Sequence, residues 1–296
     1  MSPDMLIAAC RFVHDGALMA LWGAFAYLAA LVPARLAEPI TATLASFRLA
    51  ASGLALLATL LLLPLQTAII GDGWQDAINR QTLMEVITGT SVGAAWLAQI
   101  AGVLVLALAQ LVPSLHKPSA TATASALALA SLAAGGHAVM DDGWRAILHP
   151  LNDILHVLSA GAWFGALLPL LIVLARFGET ASRVEATIAL RRFSTAGHWA
   201  VALTILSGTA NSFFIVGWPL GWSPAYRLLL TAKIAVVLVM TGVAVLNRYW
   251  FVPRIARGRG PAIAAIRIGT LIEIGLGLAA IVLVAIFGML DPMGAD

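Results

Sequence analysis

Long apolar stretches dominate this chain and restrict the folds open to it. Eight of them reach about twenty residues, the length at which a helix crosses the hydrocarbon core of a bilayer. Only 10% of the residues are charged, whereas soluble domains carry about a quarter, so most of the surface must face lipid. The pattern predicts an all-α fold, a polytopic integral membrane bundle of about eight transmembrane helices. The predicted spans cover residues 5–31, 46–70, 90–113, 119–140, 150–175, 195–217, 226–247 and 264–290.

Lysine and arginine residues concentrate in one set of the loops between these spans. Loops rich in these residues stay in the cytoplasm, so the set predicts the orientation of the bundle. With an even number of spans, both termini are then on the outer, periplasmic side. No gap between spans is long enough for a soluble domain, and we interpret residues 1–296 as a single membrane domain. The basic set comprises Arg35, Arg48, Lys117, Arg176, Arg183, Arg191, Arg192, Arg248, Arg254, Arg257, Arg259 and Arg267.

Charge and cysteine content exclude several classes of function. The net charge is +3, and the basic residues form no patch interleaved with aromatic residues, which argues against nucleic-acid binding. Cys10 is the single cysteine, so neither an intramolecular disulfide nor a Cys-x-x-Cys metal motif can form.

Histidines gather near the outer edge of the predicted bundle. Residues 135–156 read GGHAVMDDGWRAILHPLNDILH and hold three of the six histidines, while His14 lies at a similar depth in the first span. Ionisable residues inside a membrane are rare and usually face the bundle interior. We therefore expect His14, His137 and His156 to be metal ligands. His149 falls in a predicted loop, where a solvated, idle side chain is the alternative to a ligand.

Helical spacing pairs some of these histidines with other donors. Asp153 and His156 are three residues apart and share a helix face, so the carboxylate can hold the second ring nitrogen, as at many metal sites. Imidazole, thioether and thiolate groups suit soft or borderline metals. The sulfur atoms also have a structural interpretation, since methionine fills gaps and a lone cysteine often packs as a small apolar side chain. The sulfur-containing pairs are His137 with Met140 and Cys10 with His14.

Three polar residues lie deeper within the apolar stretches: Asn211, Lys233 and Glu273. At the helical rise, Lys233 is about 10 Å from the outer edge and Glu273 about 13 Å from the inner edge, so a direct ion pair is not expected. Charged groups inside a membrane are costly, which favours a polar path or a charge-compensated gate. The structural alternative is that these side chains lock helices together, Asn211 through an interhelical hydrogen bond with Ser207 or Thr209.

Several segments in a fixed order resemble one known family. DILHVLSAGAWFGAL lies at 153–167, SGTANS at 207–212 and YRLLLTAKIAVVLVM at 226–240. With an intramembrane histidine near the start of the first span, these segments resemble the copper resistance protein D (CopD) family of bacterial inner-membrane proteins. The resemblance covers nearly the whole chain and is most specific over about 135–292. The other matching segments are GHA at 136–138, RRFS at 191–194, NR at 247–248 and RIGTLIEIGLGLAAIVLVAIFGMLDP at 267–292.

The resemblance implies a copper transporter rather than an enzyme. Such a protein would take a copper ion from the periplasm at an outer histidine cluster and pass it across the inner membrane toward the cytoplasm. The family's histidines in spans 1, 4 and 5 carry over onto His14, His137 and His156. A separate periplasmic copper-binding protein is the implied partner. Because no Walker or DKTGT phosphorylation sequence occurs, ATP would not drive the transport.

Two other functions stay open at the level of sequence. The same histidines could ligate haem b axially, which would make the chain a membrane redox protein. A copper sensor or scaffold would bind the ion without moving it.

Overall fold

Helices make up all the regular secondary structure in the described part of the chain. The computed structural model describes residues 2–136, 142–216, 223–255 and 258–290. Six helical segments in these residues are long and apolar enough to cross a membrane, which confirms the predicted all-α membrane bundle. In chain order the helices are α1 (Pro3–Ala30), α2 (Ala34–Thr43), α3 (Ala45–Ile70), α4 (Arg80–Gly89), α5 (Ser91–Leu111), α6 (Pro118–Ala130), α7 (Arg145–Ala175), α8 (Arg183–Val216), α9 (Pro224–Leu246), α10 (Val252–Arg254) and α11 (Arg259–Phe287).

The six membrane-crossing segments agree with predicted spans. They are α1, α3, α5, α7 with the turn that follows it, α9 continued by α10, and α11. Large apolar side chains are exposed on their outer faces, as contact with lipid acyl chains requires. The protein is therefore a multi-pass membrane protein. Examples of these exposed side chains are Leu57, Leu104, Leu108, Leu238 and Ile268.

Two of the predicted spans differ from these six. The fourth begins as the short helix α6 and continues as a 3-10 turn, Ser131–Ala134. The sixth corresponds to α8, which is 34 residues long but begins well before the predicted start and carries Arg183 and Glu185 in its first turn. The count of eight spans and the periplasmic position of both termini therefore stay predictions.

Two short helices lie between the predicted spans. α2 connects α1 to α3, and α4 connects α3 to α5. Side chains cap the starts of α4 and α5. Asn79 Oδ1 accepts a hydrogen bond from the Gln81 amide at the start of α4, and Thr90 Oγ1 accepts one from the Gly93 amide at the start of α5. These bonds satisfy backbone donors that a helix start leaves unpaired.

α1 lies at the centre of the bundle and packs against α3, α6, α7 and α11. Glycines bring it close to α7, because a side chain at Gly23 would overlap the backbone of Gly161 and Gly165. Trp22 Nε1 also donates a hydrogen bond to the carbonyl of Leu158 at 2.8 Å. Small residues and interhelical hydrogen bonds hold membrane helices together where lipid removes the hydrophobic driving force.

α1 and α7 run in the same direction. Asp15, near the start of α1, is close enough to Asp153, near the start of α7, to act on it electrostatically. Further along both helices, Trp22 bonds to Leu158 and Gly165 meets Met19. The contacts therefore join residues that differ in number by 136 to 146.

The starts of α7 and α9 and the end of α11 lie beside the start of α1. Arg11 Nη1 donates to the carbonyl of Gly288, just past the end of α11, at 3.1 Å. The ring of Tyr226, at the start of α9, meets the ring of Phe287 edge to face, with 5.4 Å between centroids. We call this end of the molecule the N-terminal end of the bundle.

Candidate functional site

Polar side chains from four helices meet at the N-terminal end of the bundle. α1, α7, α8 and α9 each contribute, and most of the contacts join different helices. Polar groups at membrane depth need partners because lipid offers none. We call this group the polar cluster. It comprises His14, Asp15, His149, Asn152, Asp153, His156, Ser207, Asn211 and Lys233.

His14 is held by one ring nitrogen and leaves the other without a partner. The residue is 1% exposed, and its Nδ1 lies 2.8 Å from Oδ1 of Asp15. Its Nε2 is buried and has no hydrogen-bond partner within the described residues. A carboxylate on Nδ1 fixes the tautomer that carries the lone pair on Nε2, the arrangement found at many histidine metal ligands.

His156 is anchored by α8 through its Nδ1 atom. That nitrogen lies 3.2 Å from the carbonyl oxygen of Thr204 and 3.1 Å from Oγ of Ser207. Because a carbonyl only accepts, Nδ1 carries the proton and Nε2 keeps the lone pair. Gly208 makes room for the ring, since a Cβ there would lie 3.0 Å from Cε1 of His156.

The two imidazoles come from neighbouring parallel helices at similar depth. By the offsets of the α1–α7 contacts, His14 lies at the level of residues 150–160 of α7. That range includes His156. The two histidines therefore lie on neighbouring helices near the same end of the bundle, and that they share a metal ion stays a prediction.

Asn211 connects Asp153 and Asn152 across the interface of α7 and α8. Asn152 Nδ2 donates to Asn211 Oδ1 at 2.6 Å and to the carbonyl of Ser207 at 2.8 Å. Asn211 Nδ2 in turn donates to Asp153 Oδ1 at 2.9 Å. Asn211 thus makes an interhelical bond, but the expected partners Ser207 and Thr209 are wrong because they lie on α8 with it; the partners are Asn152 and Asp153 on α7.

The expectation that Asp153 orients His156 is not met. The two residues share a helix face, but α8 packs against that face. Asn211 donates a hydrogen bond to the carboxylate of Asp153, while Nδ1 of His156 is hydrogen-bonded to Thr204 and Ser207. The histidine with a carboxylate on its ring is instead His14.

The prediction that His149 lies in a loop is wrong. α7 begins at Arg145, so His149 is inside the helix despite the neighbouring Pro150. Prolines are tolerated in membrane helices because neighbouring groups satisfy the freed carbonyl. His149 is 2% exposed and stacks on the ring of Phe214 of α8, with 4.9 Å between centroids and 16° between planes.

Lys233 belongs to the polar cluster. It interacts electrostatically with Asp153 and His156, and its ammonium nitrogen lies 5.6 Å from the ring centroid of Phe287. Lys233 therefore lies near both Asp153 and His156.

Glu273 lies much deeper and is separate from Lys233. Trp163 Nε1 donates to Oε2 of Glu273 at 3.2 Å, and Asn247 Nδ2 donates to Oε1 at 2.9 Å. Asn247 follows Lys233 by fourteen residues, which is about 21 Å along the helix. The two charged side chains do not pair, as the sequence predicted from their depths.

The remaining predicted donors do not join the site within the described residues. Cys10 is half-buried and packs on the apolar cluster of Ile7, Leu62 and Leu65, which favours its interpretation as a small apolar side chain. His137 and Met140 lie outside the described residues. In the part of the chain that the structure describes, no three histidine, cysteine, aspartate or glutamate side chains are grouped closely enough to hold a metal ion.

Two family models match the chain. The one described as "Copper resistance protein D-like, N-terminal domain" matches residues 1–147, and the one described as "Copper resistance protein D" matches residues 187–287. The chain belongs to the copper resistance protein D family.

Relatives named for membrane location or copper support this membership. The inner membrane protein YebZ of Escherichia coli (strain K12) is 30% identical over 96% of this chain and 97% of its own length. Copper resistance protein D of Pseudomonas syringae pv. tomato is 34% identical over 98% of this chain and 97% of its own. The copper transport protein CutJ of Bacillus subtilis (strain 168) is 34% identical over 57% of this chain and 32% of its own. No solved structure matches the chain significantly.

Segments that resemble the copper resistance protein D family supply most of the interior polar side chains. Those segments fall in α7, α8, α9, the turn after α9, and α11. Sequence reasoning missed Asp15 as the partner of His14, because the side chains of adjacent residues on a helix usually point in different directions. It also missed Asn152, Trp163 and Asn247 as partners, since their contacts depend on helix packing. The interior polar residues from these segments are Asp153, His156, Trp163, Ser207, Asn211, Lys233, Asn247 and Glu273.

Proposed function

We propose that this protein transports copper across the bacterial inner membrane, with entry at the N-terminal end of the bundle and release on the opposite side. Relatives named copper resistance protein D and copper transport protein CutJ support copper as the cargo. A relative named inner membrane protein YebZ supports the location. The bias of lysine and arginine toward the opposite loops supports a periplasmic N-terminal end.

One observation carries the proposal: two neighbouring helices each hold an imidazole by its Nδ1 atom, which leaves the Nε2 atom of each available for a ligand. Asp15 fixes the tautomer of His14, and the carbonyl of Thr204 fixes that of His156. The buried Nε2 of His14 has no partner within the described residues, and since buried polar atoms otherwise find partners, we propose it as the position of a ligand. His137 is the proposed third donor.

The polar cluster suits brief rather than permanent binding of the ion. Neutral imidazoles bind copper in either oxidation state. A site of two or three imidazoles lacks the sulfur ligands that hold copper most tightly. A protonated Lys233 near His156 would oppose a bound cation and favour its release. Transport needs binding that is strong enough for entry and weak enough for exit.

Transport of this kind requires no chemical step by the protein, so we propose a transporter and not an enzyme. Copper would reach the site from a separate periplasmic copper-binding protein. Since the sequence carries no ATP-binding motif, an ion gradient or the membrane potential supplies the energy.

Copper accumulation in cells tests the proposal. Cells that produce His156→Ala should accumulate less copper than cells that produce the wild type at equal protein level. His116→Ala is the control, because His116 is exposed and lies after α5, away from the polar cluster. Unchanged accumulation with His156→Ala, or equal losses in both variants, would contradict the proposal. A Soret band in the purified protein that shifts on reduction would favour haem binding instead.

A further inference from the structure

Glu273 is a buried carboxylate that the proposed copper site does not use. It is 3% exposed, and both of its oxygens accept hydrogen bonds, from Trp163 on α7 and from Asn247 after α9. Both donors are neutral, so neither offsets a negative charge. An uncompensated charge inside a membrane is costly and is usually retained for function.

The surroundings of this carboxylate form a specific site between three helices. Asn247 begins a π-helical turn, Asn247–Phe251, between α9 and α10, and single π turns occur often at functional positions. The Asn247 amide packs against Gly269 on α11, where any side chain would overlap it. The wide turn and the glycine together let Asn247 reach the carboxylate one turn further along α11.

No fixed charge within the described residues balances Glu273. The charged residues nearest to it along these elements are Arg248, beside Asn247, and Arg267, on α11 itself. Within the described residues the carboxylate pairs with neither of them, and its hydrogen bonds come from Trp163 and Asn247. On α1, Tyr27 is the titratable group in this half of the bundle, and its buried hydroxyl has no partner in the part of the chain that the structure describes. α7 carries no titratable residue between His156 and Arg176.

We infer that Glu273 binds and releases a proton in each transport cycle, so that copper movement through this protein is coupled to proton movement. The inference rests on the proposed function. A proton is the cation that neutralises a buried carboxylate without needing a cavity or a ligand shell. Carboxylates in such positions form the proton relays of membrane pumps and transporters.

Protonation of Glu273 also changes the contacts between helices. The carboxylate accepts from Trp163 and Asn247 at once. When one oxygen gains the proton it becomes a donor and a weaker acceptor, so its bond from Trp163 or from Asn247 weakens. The proton thereby loosens α11 from α7, which carries His156, or from α9, which carries Lys233. When the proton leaves, both bonds regain their full strength.

Proteoliposomes that contain the full chain and a trapped pH-sensitive dye test this coupling. Cu(I) is added outside under anaerobic conditions, and copper uptake and internal pH are followed together. We expect the wild type to show copper uptake with a simultaneous pH change. Glu273→Gln, a neutral isostere, should lose the Cu(I)-dependent pH change. Glu179→Gln is the matched control, because Glu179 is an exposed carboxylate paired with Arg176, and it should behave as the wild type.

The outcomes separate the two proposals. Copper uptake by the wild type without a pH change, or with a pH change that Glu273→Gln retains, overturns the proton coupling and leaves the transport function standing. Absence of copper uptake by the wild type overturns the transport function and the coupling with it. If Glu273→Gln does not fold, Trp163→Phe removes one donor only. It should shift the pH dependence of copper uptake, and an unchanged dependence overturns the coupling.

Discussion

The imidazole of His14 is oriented by a single neighbour, Asp15, which leaves its Nε2 atom available for a metal ion. Histidines inside an apolar span are expected to face the bundle interior, and this rule found His14 and His156 from the sequence. It could not find Asp15 as the partner of His14, because adjacent helix positions usually point apart. Nor could it show that Thr204 and Ser207, rather than Asp153, hold His156, since that depends on which helix packs against α7.

The Asp15 carboxylate should strengthen copper binding without being a ligand. We predict that Asp15→Asn lowers Cu(I) affinity by about tenfold to a hundredfold, the usual effect of losing a carboxylate that supports a metal-bound histidine. Competition with a Cu(I) chelator measures the change. Asp4→Asn removes an exposed carboxylate from the same helix and should have no effect. Equal affinities for Asp15→Asn and the wild type would show that His14 binds no metal.

The space beside His156 depends on Gly208. A Cβ at this position would lie 3.0 Å from the imidazole Cε1, so we predict that Gly208→Ala displaces the ring and weakens Cu(I) binding. Gly197→Ala lies on the same helix and has open space around its Cβ, which makes it the control. Titration with Cu(I) should separate the two variants, and equal binding by both would argue that the position of the His156 ring is irrelevant to the site.

At the scale of helices, hydropathy predicted most spans to within a few residues because lipid requires about twenty apolar residues of any crossing helix. It missed α2 and α4, which lie between the spans. It also misplaced His149, because the proline rule for soluble helices started α7 too late, at Pro150 instead of Arg145. The π turn at Asn247 has no signature in the hydropathy pattern and became visible only through its contact with Glu273.

The contact of α1 with α7 sets the distance between the two imidazoles. A side chain at Gly23 would overlap the backbone of α7, so Gly23→Ala should push the helices apart. We predict a loss of about 1 to 3 kcal/mol of stability, as in other overpacked interiors, together with weaker copper binding. Gly16→Ala on α1 meets open space and should keep the wild-type thermal unfolding temperature in detergent. A fully stable Gly23→Ala would contradict the close packing described.

For the whole molecule, the distribution of lysine and arginine predicts that both termini are periplasmic. An alkaline phosphatase fused to the C-terminus should then be active. A green fluorescent protein fused at the same place should not fluoresce, because the Sec pathway would export it unfolded. The opposite pattern would place the copper-entry end in the cytoplasm and reverse the proposed direction. Sequence alone could not supply the order of the helices in the bundle, and so could not show that spans 1 and 5 are neighbours.

The central claim is that His14 and His156 hold one copper ion together. Cu(I) affinity of the purified full chain, measured for the wild type, His14→Ala, His156→Ala and the double variant, tests this most directly. If both imidazoles bind the same ion, each single change should lose most of the affinity, and the double change should lose far less than the product of the two effects. Losses that multiply, or a single variant that binds Cu(I) as tightly as the wild type, would contradict the shared site.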